Sequence, residues 1–430
     1  MKKFFLLSGL LPLLLAAVNI DVVKNGKPCA VIVIDKKAPR MVQYAAKELQ
    51  NYIKKSGGAA LKIVHAPVKG KTSVFVGESA GTQKLGIDVK KLSADGFIVK
   101  AVKDGIVLCG RDYAGKQMAG ISHPFRLKQS YNSKLGINRY GETGTLYAVY
   151  SFLEKFCGIR WFMPGELGEV VPVNKSIAIP EKTFYSKAPD FQYRFLWNCD
   201  FPSHPEGTIW YRRAGFGAAY PVNIQHSFKR LRKYRDTNPE YLALYQGKRD
   251  YDLSCQGDGN LCLSNPGLFK AFVKEARDFF DADPSQKLFP VMPNDSFDHI
   301  CECADCQKQI DHSSERGRFS NYVWSFVNRV AAEVKKTHPD KIISCCAYGR
   351  YYLVPDKIKK LEDNVAVMIC RKTMFYGTKS LWKTDDNVIA SWRKIMAPGR
   401  LYFWEYFNLA ETMPFYRNVP VPITRIFAAE

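Results

Sequence analysis

Strand-like and helix-like apolar patterns alternate through the second half of the chain, and this alternation constrains the fold more than any other feature. Seven strand-like runs follow one another, at residues 191–197, 220–225, 260–263, 287–292, 342–347, 364–370 and 400–406. Amphipathic helical patterns separate several of these runs, at residues 268–279, 323–334 and 388–395. Repeated βα units predict a parallel sheet, and seven in succession favour a (β/α)8 TIM-like barrel over an open sheet. We therefore predict an α/β protein in which residues 190–430 form this barrel.

The predicted barrel is incomplete at its carboxyl terminus. After the seventh strand only residues 410–430 remain, which are too few for a helix, an eighth strand and a closing helix. The expectation is a truncated barrel, in a chain that is either a fragment or a naturally shortened form.

A smaller α+β domain is predicted ahead of the barrel, at residues 22–172. Its strand-like runs lie at residues 30–34, 61–64, 73–76, 96–102 and 105–109, and its helical patterns lie at residues 42–52 and 143–156. This content predicts one sheet with helices on one face. Residues 173–189 are punctuated by prolines and lysines, which indicates a linker to the barrel.

The amino terminus has the pattern of a secretory signal peptide. Two lysines follow the first methionine, residues 4–15 are apolar, and the small residues Ala16 and Ala17 come next. The sequence predicts a signal peptide at residues 1–17, with cleavage near Ala17, and a secreted or periplasmic protein. A buried amino-terminal helix is the alternative, which Gly9 and Pro12 disfavour. No later apolar run reaches eighteen residues, so no membrane span is predicted.

The charge balance indicates an anionic partner. Lys and Arg number 63 against 41 Asp and Glu, which leaves a formal net charge of +22. Acidic polysaccharide, lipid headgroups and nucleic acid all suit such an excess. The basic residues are spread out with no block of five or six, so no nucleic-acid-binding arm is indicated. A solvated basic surface without a partner remains the alternative.

Two carboxylates directly follow apolar strands of the predicted barrel. Asp295 comes after the fourth strand and Glu405 ends the seventh. The working residues of such barrels project from the carboxyl ends of strands, and glycoside hydrolysis requires one carboxyl acid and one carboxylate. Asp295 and Glu405 are therefore the predicted catalytic pair. Pairing with a loop arginine or capping of a helix is the alternative for each.

Other polar and aromatic side chains at the strand ends are predicted to bind sugar. We expect hydrogen bonds to hydroxyl or carboxylate groups, and stacking of aromatic rings on sugar rings. The predicted substrate-binding residues are His226, Asn265, Asn294, Arg371, Trp404 and Tyr406. A loop role for the histidine, and core or rim packing for the aromatic residues, are the alternatives.

A cysteine cluster is the sharpest local signal in the chain. Three of the twelve cysteines lie within six residues: Cys301, Cys303 and Cys306. They can bind zinc structurally if a fourth ligand joins them, and the candidates are His299, Cys262 and His312. In an exported protein a disulfide is the competing interpretation.

No cofactor is predicted. The sequence lacks a glycine-rich phosphate-binding loop, a serine nucleophile elbow and a His-Glu-x-x-His motif. Nucleotide-dependent and serine-hydrolase functions therefore lose their main support.

Two motifs in the first half resemble a known domain. They are Gly-Thr-Leu-Tyr-Ala-Val-Tyr-Ser-Phe-Leu-Glu at residues 144–154 and Gly-Ile-Arg-Trp-Phe-Met-Pro-Gly at residues 158–165. Both resemble the small domain that precedes the catalytic barrel in family 20 β-hexosaminidases and family 67 α-glucuronidases.

The second half is similar to the secreted family called domain of unknown function 4838. The similarity rests on residues 225–228, 238–241, 261–266 and 294–295 together with the cysteine cluster. The two resemblances cover most of residues 25–430 and imply a carbohydrate-active barrel. Family 20 enzymes carry Asp-Glu after strand four, whereas Ser296 follows Asp295 here. An arrangement like that of family 67, with carboxylates on different strands, fits Asp295 and Glu405 better.

These observations predict a secreted glycoside hydrolase that acts on a complex polysaccharide or oligosaccharide, with an acidic glycan favoured. Asp295 is the expected general acid or base and Glu405 its partner. The alternative is a non-catalytic glycan-binding protein with a degenerate or truncated barrel. A structural envelope protein is a third hypothesis.

Overall fold

The computed structural model describes residues 19–112, 131–132, 134–138, 141–194, 205–218, 222–249, 260–295, 300–372 and 379–406. The chain divides into two compact units, residues 1–220 and residues 221–430, so the boundary falls later than the predicted residue 190. The predicted signal peptide lies outside the described residues. No helix within the described ranges is long and apolar enough to cross a membrane.

The first unit is built on a six-stranded mixed sheet with the order β13-β6-β7-β5-β3-β4. Its strands are β1 (Asn19–Lys24), β2 (Lys27–Pro28), β3 (Ala30–Val33), β4 (Ile63–Val64), β5 (Thr72–Val76), β6 (Phe97–Val102), β7 (Gly105–Gly110), β8 (Tyr131–Asn132), β9 (Ile137–Asn138), β10 (Arg160–Trp161), β11 (Glu169–Val170), β12 (Ile177–Pro180), β13 (Phe184–Lys187), β14 (Tyr193–Arg194) and β15 (Gly217–Ala218). Its helices are α1 (Arg40–Gly57), α2 (Ala80–Lys84), α3 (Gly144–Cys157) and α4 (Pro205–Arg213).

Both faces of this sheet are covered, which explains why β7 is apolar throughout. Ile106 and Leu108 belong to the large core that the sheet shares with α1 and α3. Val107 and Cys109 alternate with them and pack with residues 87–89 in a second, smaller core. The predicted face of helices is present in α1 and α3, while α2 and the turn after it cover the opposite face.

Residues 173–189 are not a linker, contrary to the prediction. Within them β12 pairs antiparallel with β1, and β13 pairs antiparallel with β6. Ile177 and Ile179 are buried at every second position, which is the periodicity of a half-buried strand. Pro180 is the last residue of β12, where a missing N–H is tolerated. The prolines thus mark strand ends rather than a connection between domains.

The second unit contains a four-stranded parallel sheet with the order β16-β17-β18-β19. Its strands are β16 (Leu288–Pro290), β17 (Ile342–Ala347), β18 (Val365–Arg371) and β19 (Leu401–Glu405). Its helices are α5 (Pro266–Ala282), α6 (Ala304–Gln307), α7 (Ser320–Lys335) and α8 (Lys379–Ile395). The α/β class of this half is confirmed, and the last four predicted strands form the sheet in the predicted order.

The first three predicted barrel strands do not join this sheet within the described residues. Residues 193–194 pair antiparallel with β15 in the first unit. Residues 222–225 form no strand, and residues 260–263 make only an isolated antiparallel bridge, Leu242 to Leu261. The described part of the chain therefore shows an open parallel sheet and no closed barrel. A short apolar run shows that a segment is buried but does not specify its pairing partner, which is why these three runs were misleading.

The helices of the second unit hold the loop that follows β17. The rings of Trp324 on α7 and Trp392 on α8 are both buried, with centroids 4.6 Å apart. The indole Nε1 of Trp324 donates to the carbonyl of Tyr351 at 3.1 Å, and that of Trp392 donates to the carbonyl of Tyr352 at 3.0 Å. Large buried indoles that also satisfy backbone carbonyls fix this loop, and with it the end of β17.

A buried ion cluster joins α1, α4 and β11 in the first unit. The guanidinium of Arg213 lies 2.8 Å from Glu48 Oε2 and 3.1 Å from Glu169 Oε1. Burial by itself would raise the pKa of Glu169, but hydrogen bonds from Lys55 and Tyr52 and the charge of Arg213 outweigh it and lower the pKa. One arginine therefore serves two largely buried carboxylates.

Replacing this arginine is expected to destabilise the first unit in a pH-dependent way. Arg213→Ala leaves Glu48 and Glu169 charged and without their guanidinium, at a cost of about 3 kcal/mol near neutral pH. The cost is present above pH ~5 and shrinks as the pH falls below the ordinary carboxyl pKa, because the carboxyls then become protonated. Hydrogen exchange of α1 amides at pH 7 and pH 4 measures it. Lys69→Ala, an exposed loop change of equal charge, is the control, and equal losses in both variants would contradict the prediction.

Candidate functional site

The carboxyl edge of the parallel sheet collects the side chains of the candidate site. Arg371 and Glu405 are the last residues of β18 and β19, and Tyr406 follows. Tyr348 comes directly after β17, and Asp295 comes five residues after the end of β16. Because parallel strands end at the same edge, these residues gather there despite their separation along the chain.

An ion pair joins the ends of the last two strands. Arg371 and Glu405 are direct neighbours in the parallel register, and Arg371 Nη1 lies 3.0 Å from Glu405 Oε1. The arginine side chain is 6% exposed and the glutamate 20% exposed. A guanidinium at this distance favours the ionised form of the carboxylate. The pair thus places one anionic oxygen group at the edge, partly open to solvent.

Asp295 has two polar neighbours on the other side of the site. The hydroxyl of Tyr348 donates to Asp295 Oδ1 at 3.0 Å, and His226 Nε2 lies 3.9 Å from the same oxygen. The Asp295 side chain is 60% exposed, so it can reach a ligand in solvent. Burial and then the charge of Asp295 raise the pKa of the Tyr348 hydroxyl, which keeps it protonated and able to donate.

The orientation of His226 is fixed by its second ring nitrogen. His226 Nδ1 lies 2.6 Å from the carbonyl of Pro293, and a carbonyl only accepts hydrogen bonds, so Nδ1 carries a proton. The remaining nitrogen, Nε2, faces Asp295 and is the atom that gains or loses a proton. The next residue anchors the segment, because Ser227 N donates to the carbonyl of Met292 at 3.0 Å and Met292 N donates to Ser227 Oγ at 2.9 Å.

Both carboxylates act on the thiol of Cys370. A hydrogen bond with Cys346, then burial, and then the charges of Asp295 and Glu405 raise the pKa of Cys370. Burial, followed by Cys370 and Tyr348 and more weakly Asp295, raises the pKa of Tyr406 at the other end of the edge. Asp295 and Glu405 therefore lie within electrostatic range of the same side chain, although two strands separate them in the sheet.

The aromatic residues predicted to stack on sugar lie at the end of β19. The rings of Trp404 and Tyr406 have centroids 6.1 Å apart and an interplanar angle of 53°, and both side chains are partly exposed. A pair of inclined, half-exposed rings can contact an apolar sugar face. Stacking on a glycan remains a prediction for both residues.

The two predicted asparagines have different surroundings. Asn265 caps α5: its Oδ1 accepts hydrogen bonds from the backbone N–H groups of Gly267 at 2.8 Å and Leu268 at 3.0 Å, and its Nδ2 donates to the carbonyl of Glu240. These contacts account for the side chain by local folding. Asn294 is buried next to Asp295. A substrate-binding role stays a prediction for both.

The four-cysteine cluster is the second polar assembly of this unit. Its sulfurs all lie within 4.8 Å of one another, and its members are Cys262, Cys301, Cys303 and Cys306. Cys262 is thus the candidate that joins the predicted three, whereas His312 is hydrogen-bonded to Arg318 and His299 lies outside the described residues. Hydrogen bonds from the thiols of Cys262 and Cys306 hold the pKa of the Cys301 thiol well below its usual range.

Tyr348 is the functional residue that the sequence did not assign. The pattern identified it as one of several aromatic residues near the barrel mouth, whereas the structure gives it a hydrogen bond to Asp295. Its position directly after a fully buried strand is the signal that could have singled it out. The contact between Arg371 and Glu405 was likewise absent from the sequence analysis, which treated the two residues separately.

The chain belongs to the family described as Domain of unknown function (DUF4838), whose model matches residues 163–427. This confirms the family that the second-half motifs indicated. The sequence matches no curated protein.

Several solved structures are similar to this chain at low sequence identity. A family GH115 4-O-methyl-α-glucuronidase, BtGH115A, with specificity for decorated arabinogalactans, has a TM-score of 0.44 at 10% identity, over 89% of this chain and 54% of that one. The N-acetyl-β-hexosaminidase of Streptomyces plicatus has a TM-score of 0.40 at 10% identity, over 94% of this chain and 75% of that one. CpGH84B has a TM-score of 0.34 at 13% identity. The chain spans about half the length of the first of these proteins.

Replacing Asn265 separates helix capping from ligand binding. Asn265→Ala is expected to lower the free energy of unfolding by about 1 kcal/mol, because two N–H groups of α5 lose their acceptor, while Asn265→Asp keeps most of the stability. Urea unfolding of the full chain measures the change, with the exposed Asn387→Ala on α8 as the control. Unchanged stability in Asn265→Ala, together with loss of glycan binding, would instead assign this residue to the substrate.

Proposed function

We propose that the chain is a glycoside hydrolase that acts on a complex, acidic polysaccharide, and that it works outside the cytoplasm. The observation that carries the proposal is the placement of two carboxylates of different surroundings at one edge of a parallel sheet. Asp295 and Glu405 both act on Cys370, so they lie within reach of one ligand. Hydrolysis of a glycosidic bond requires such a pair.

The surroundings of the two carboxylates suggest how they divide the chemistry. Glu405 is paired with Arg371 and is suited to remain ionised, as a nucleophile at the anomeric carbon or as a base that activates water. Asp295 is exposed and adjoins His226 and Tyr348, which suits proton transfer to and from the glycosidic oxygen. The bond from the anomeric carbon to that oxygen breaks as the oxygen receives the proton and water supplies the new hydroxyl group.

The charges and rings around the pair support an acidic glycan as the substrate. The formal net charge of +22 attracts polyanions, and Arg371 supplies a guanidinium that is suited to a uronic acid carboxylate or a sulfate group. Trp404 and Tyr406 offer aromatic surface beside it. Family membership names no substrate, so this class rests on the site alone.

Removing either carboxylate tests the proposal. Glu405→Gln and Asp295→Asn are each expected to lower kcat at least about 100-fold, because each loses a proton-transfer or charge-stabilising group that is needed in the transition state. Release of reducing sugar from a panel of acidic and neutral polysaccharides measures it. Asp236→Asn, at an 85% exposed position, is the matched control and should keep full activity.

Silence of the unaltered chain on every glycan would contradict a hydrolase. If the chain still bound a glycan in affinity electrophoresis, and Trp404→Ala abolished that binding, a glycan-binding protein would replace the hydrolase. Unchanged turnover in Glu405→Gln would remove Glu405 from the mechanism.

Tyr348 is expected to act as a positioning residue through Asp295. Tyr348→Phe removes the hydroxyl that donates to Asp295 Oδ1 and should lower kcat about tenfold with little change in KM, since the hydroxyl acts on the carboxylate and not on the substrate. Steady-state kinetics on the best glycan of the panel measures both constants. Tyr234→Phe, remote from this edge in sequence, is the control, and a rise in KM at constant kcat would assign the hydroxyl to substrate binding.

A further inference from the structure

We propose that the four-cysteine cluster of the second unit binds one structural Zn²⁺ ion. The proposal concerns a site separate from the two carboxylates and does not depend on the hydrolase function. It rests on the positions of the sulfurs, on the backbone that holds them and on the groups around them.

The distances between the sulfurs are those of a tetrahedral zinc site. The sulfur of Cys262 lies 3.7 Å from that of Cys303 and 3.7 Å from that of Cys306. Zn–S bonds of about 2.3 Å in a tetrahedron place neighbouring sulfurs about 3.8 Å apart. A disulfide requires about 2.05 Å between its sulfurs. The spacing therefore fits four thiolates around one ion and is too long for either pair to be bonded.

The ligand spacing is also that of a structural zinc site. Cys303 and Cys306 are separated by two residues, with Cys306 in the short helix α6, and Cys301 precedes them by two positions. A pair of this C-x2-C type combined with distant cysteines is typical of structural zinc. Three of the four side chains are buried. Four protein ligands in a closed setting leave no open position for a substrate, so we assign the ion a structural role.

Backbone hydrogen bonds bring the ligand segments together. Residues 241–244 lie between the other two segments: Cys262 N donates to the carbonyl of Tyr241 at 2.8 Å, and Glu302 N donates to the carbonyl of Leu244 at 2.7 Å. The same segment carries the bridge from Leu242 to Leu261. Three stretches that are far apart in sequence are thus aligned, and the sulfur positions follow from this frame.

The groups around the sulfurs suit the negative charge of a zinc tetrathiolate. Such a centre carries two net negative charges, and thiolates of this kind need hydrogen-bond donors in the surrounding shell. Leu244 N donates to the sulfur of Cys301 at 3.3 Å. The guanidinium of Arg249 is within hydrogen-bonding contact of the sulfurs of Cys262 and Cys301. A backbone N–H and a fixed cation are therefore in place to stabilise the bound centre.

The ion would fix the chain on the carboxyl side of Asp295. Cys301 follows Asp295 by six residues, and the segment around Cys262 is tied to α7, because the hydroxyl of Tyr322 donates to the carbonyl of Leu261 at 3.1 Å. Zinc at the cluster would connect the loop after β16 to a helix of the core. Loss of the ion is thus expected to loosen this loop first.

The metal content of the full chain tests the proposal. The chain is purified without chelators from cells supplied with zinc and iron, and its metals are measured by inductively coupled plasma mass spectrometry. We expect about one zinc ion per chain. Cys306→Ser should lose at least about nine tenths of it, while Cys29→Ser, a cysteine of the first unit, should keep it all.

A second measurement on the unaltered chain covers the case in which Cys306→Ser fails to fold. Exchange of the bound metal for Co²⁺ should give the intense thiolate-to-cobalt and d–d absorption bands of a tetrahedral sulfur site. Peptide mass spectrometry without reductant should find all four cysteines as thiols. Disulfide-linked peptides among the four, a zinc content near zero, or iron in place of zinc would each overturn the proposal.

Discussion

In a parallel sheet every strand ends at the same edge, so the backbone hydrogen bonds between β16, β17, β18 and β19 decide which side chains can meet. Asp295 and Glu405 are more than a hundred residues apart in sequence and come to one site only through these bonds. The strands themselves are apolar and almost wholly buried, which leaves the polar groups to the residues that follow them. The same pattern that forms the core therefore concentrates the chemistry at its rim.

Burial at this edge makes each polar group depend on a neighbour. Arg371 is nearly covered and is stabilised by Glu405, while the hydroxyl of Tyr348 donates to Asp295. The loop after β17 is in turn held by indole hydrogen bonds from Trp324 and Trp392. The rim is consequently stiff where it carries Tyr348, whereas Asp295 is exposed and lies on a longer connection. A rigid donor beside an accessible carboxylate is a favourable arrangement for binding a ligand in one orientation.

The sequence predicted those features that depend on local pattern. Strands β17 to β19 were found almost to the residue because each is a continuous apolar run with helical periodicity on both sides. Residues 260–263 are equally apolar, yet their pairing with Leu242 and their anchoring by Tyr322 depend on distant parts of the chain, so the run was mistaken for a strand. Ligand chemistry named Cys262 correctly as a possible partner of the cysteine run. The hydrogen bond from Tyr348 was beyond reach, because it depends on side-chain rotamers and not on spacing.

The ion pair at the end of β18 and β19 also records how these two strands are aligned. Arg371 stands opposite Glu405 in a ladder that begins with Val367 opposite Leu401. Side chains alternate between the faces of a sheet, so a one-residue deletion inside either strand would move one partner to the opposite face and separate the charges. Changes in the length of the connection between them would leave the alignment intact. Lineages carrying this site are thus free to remodel their loops but must count their strand residues.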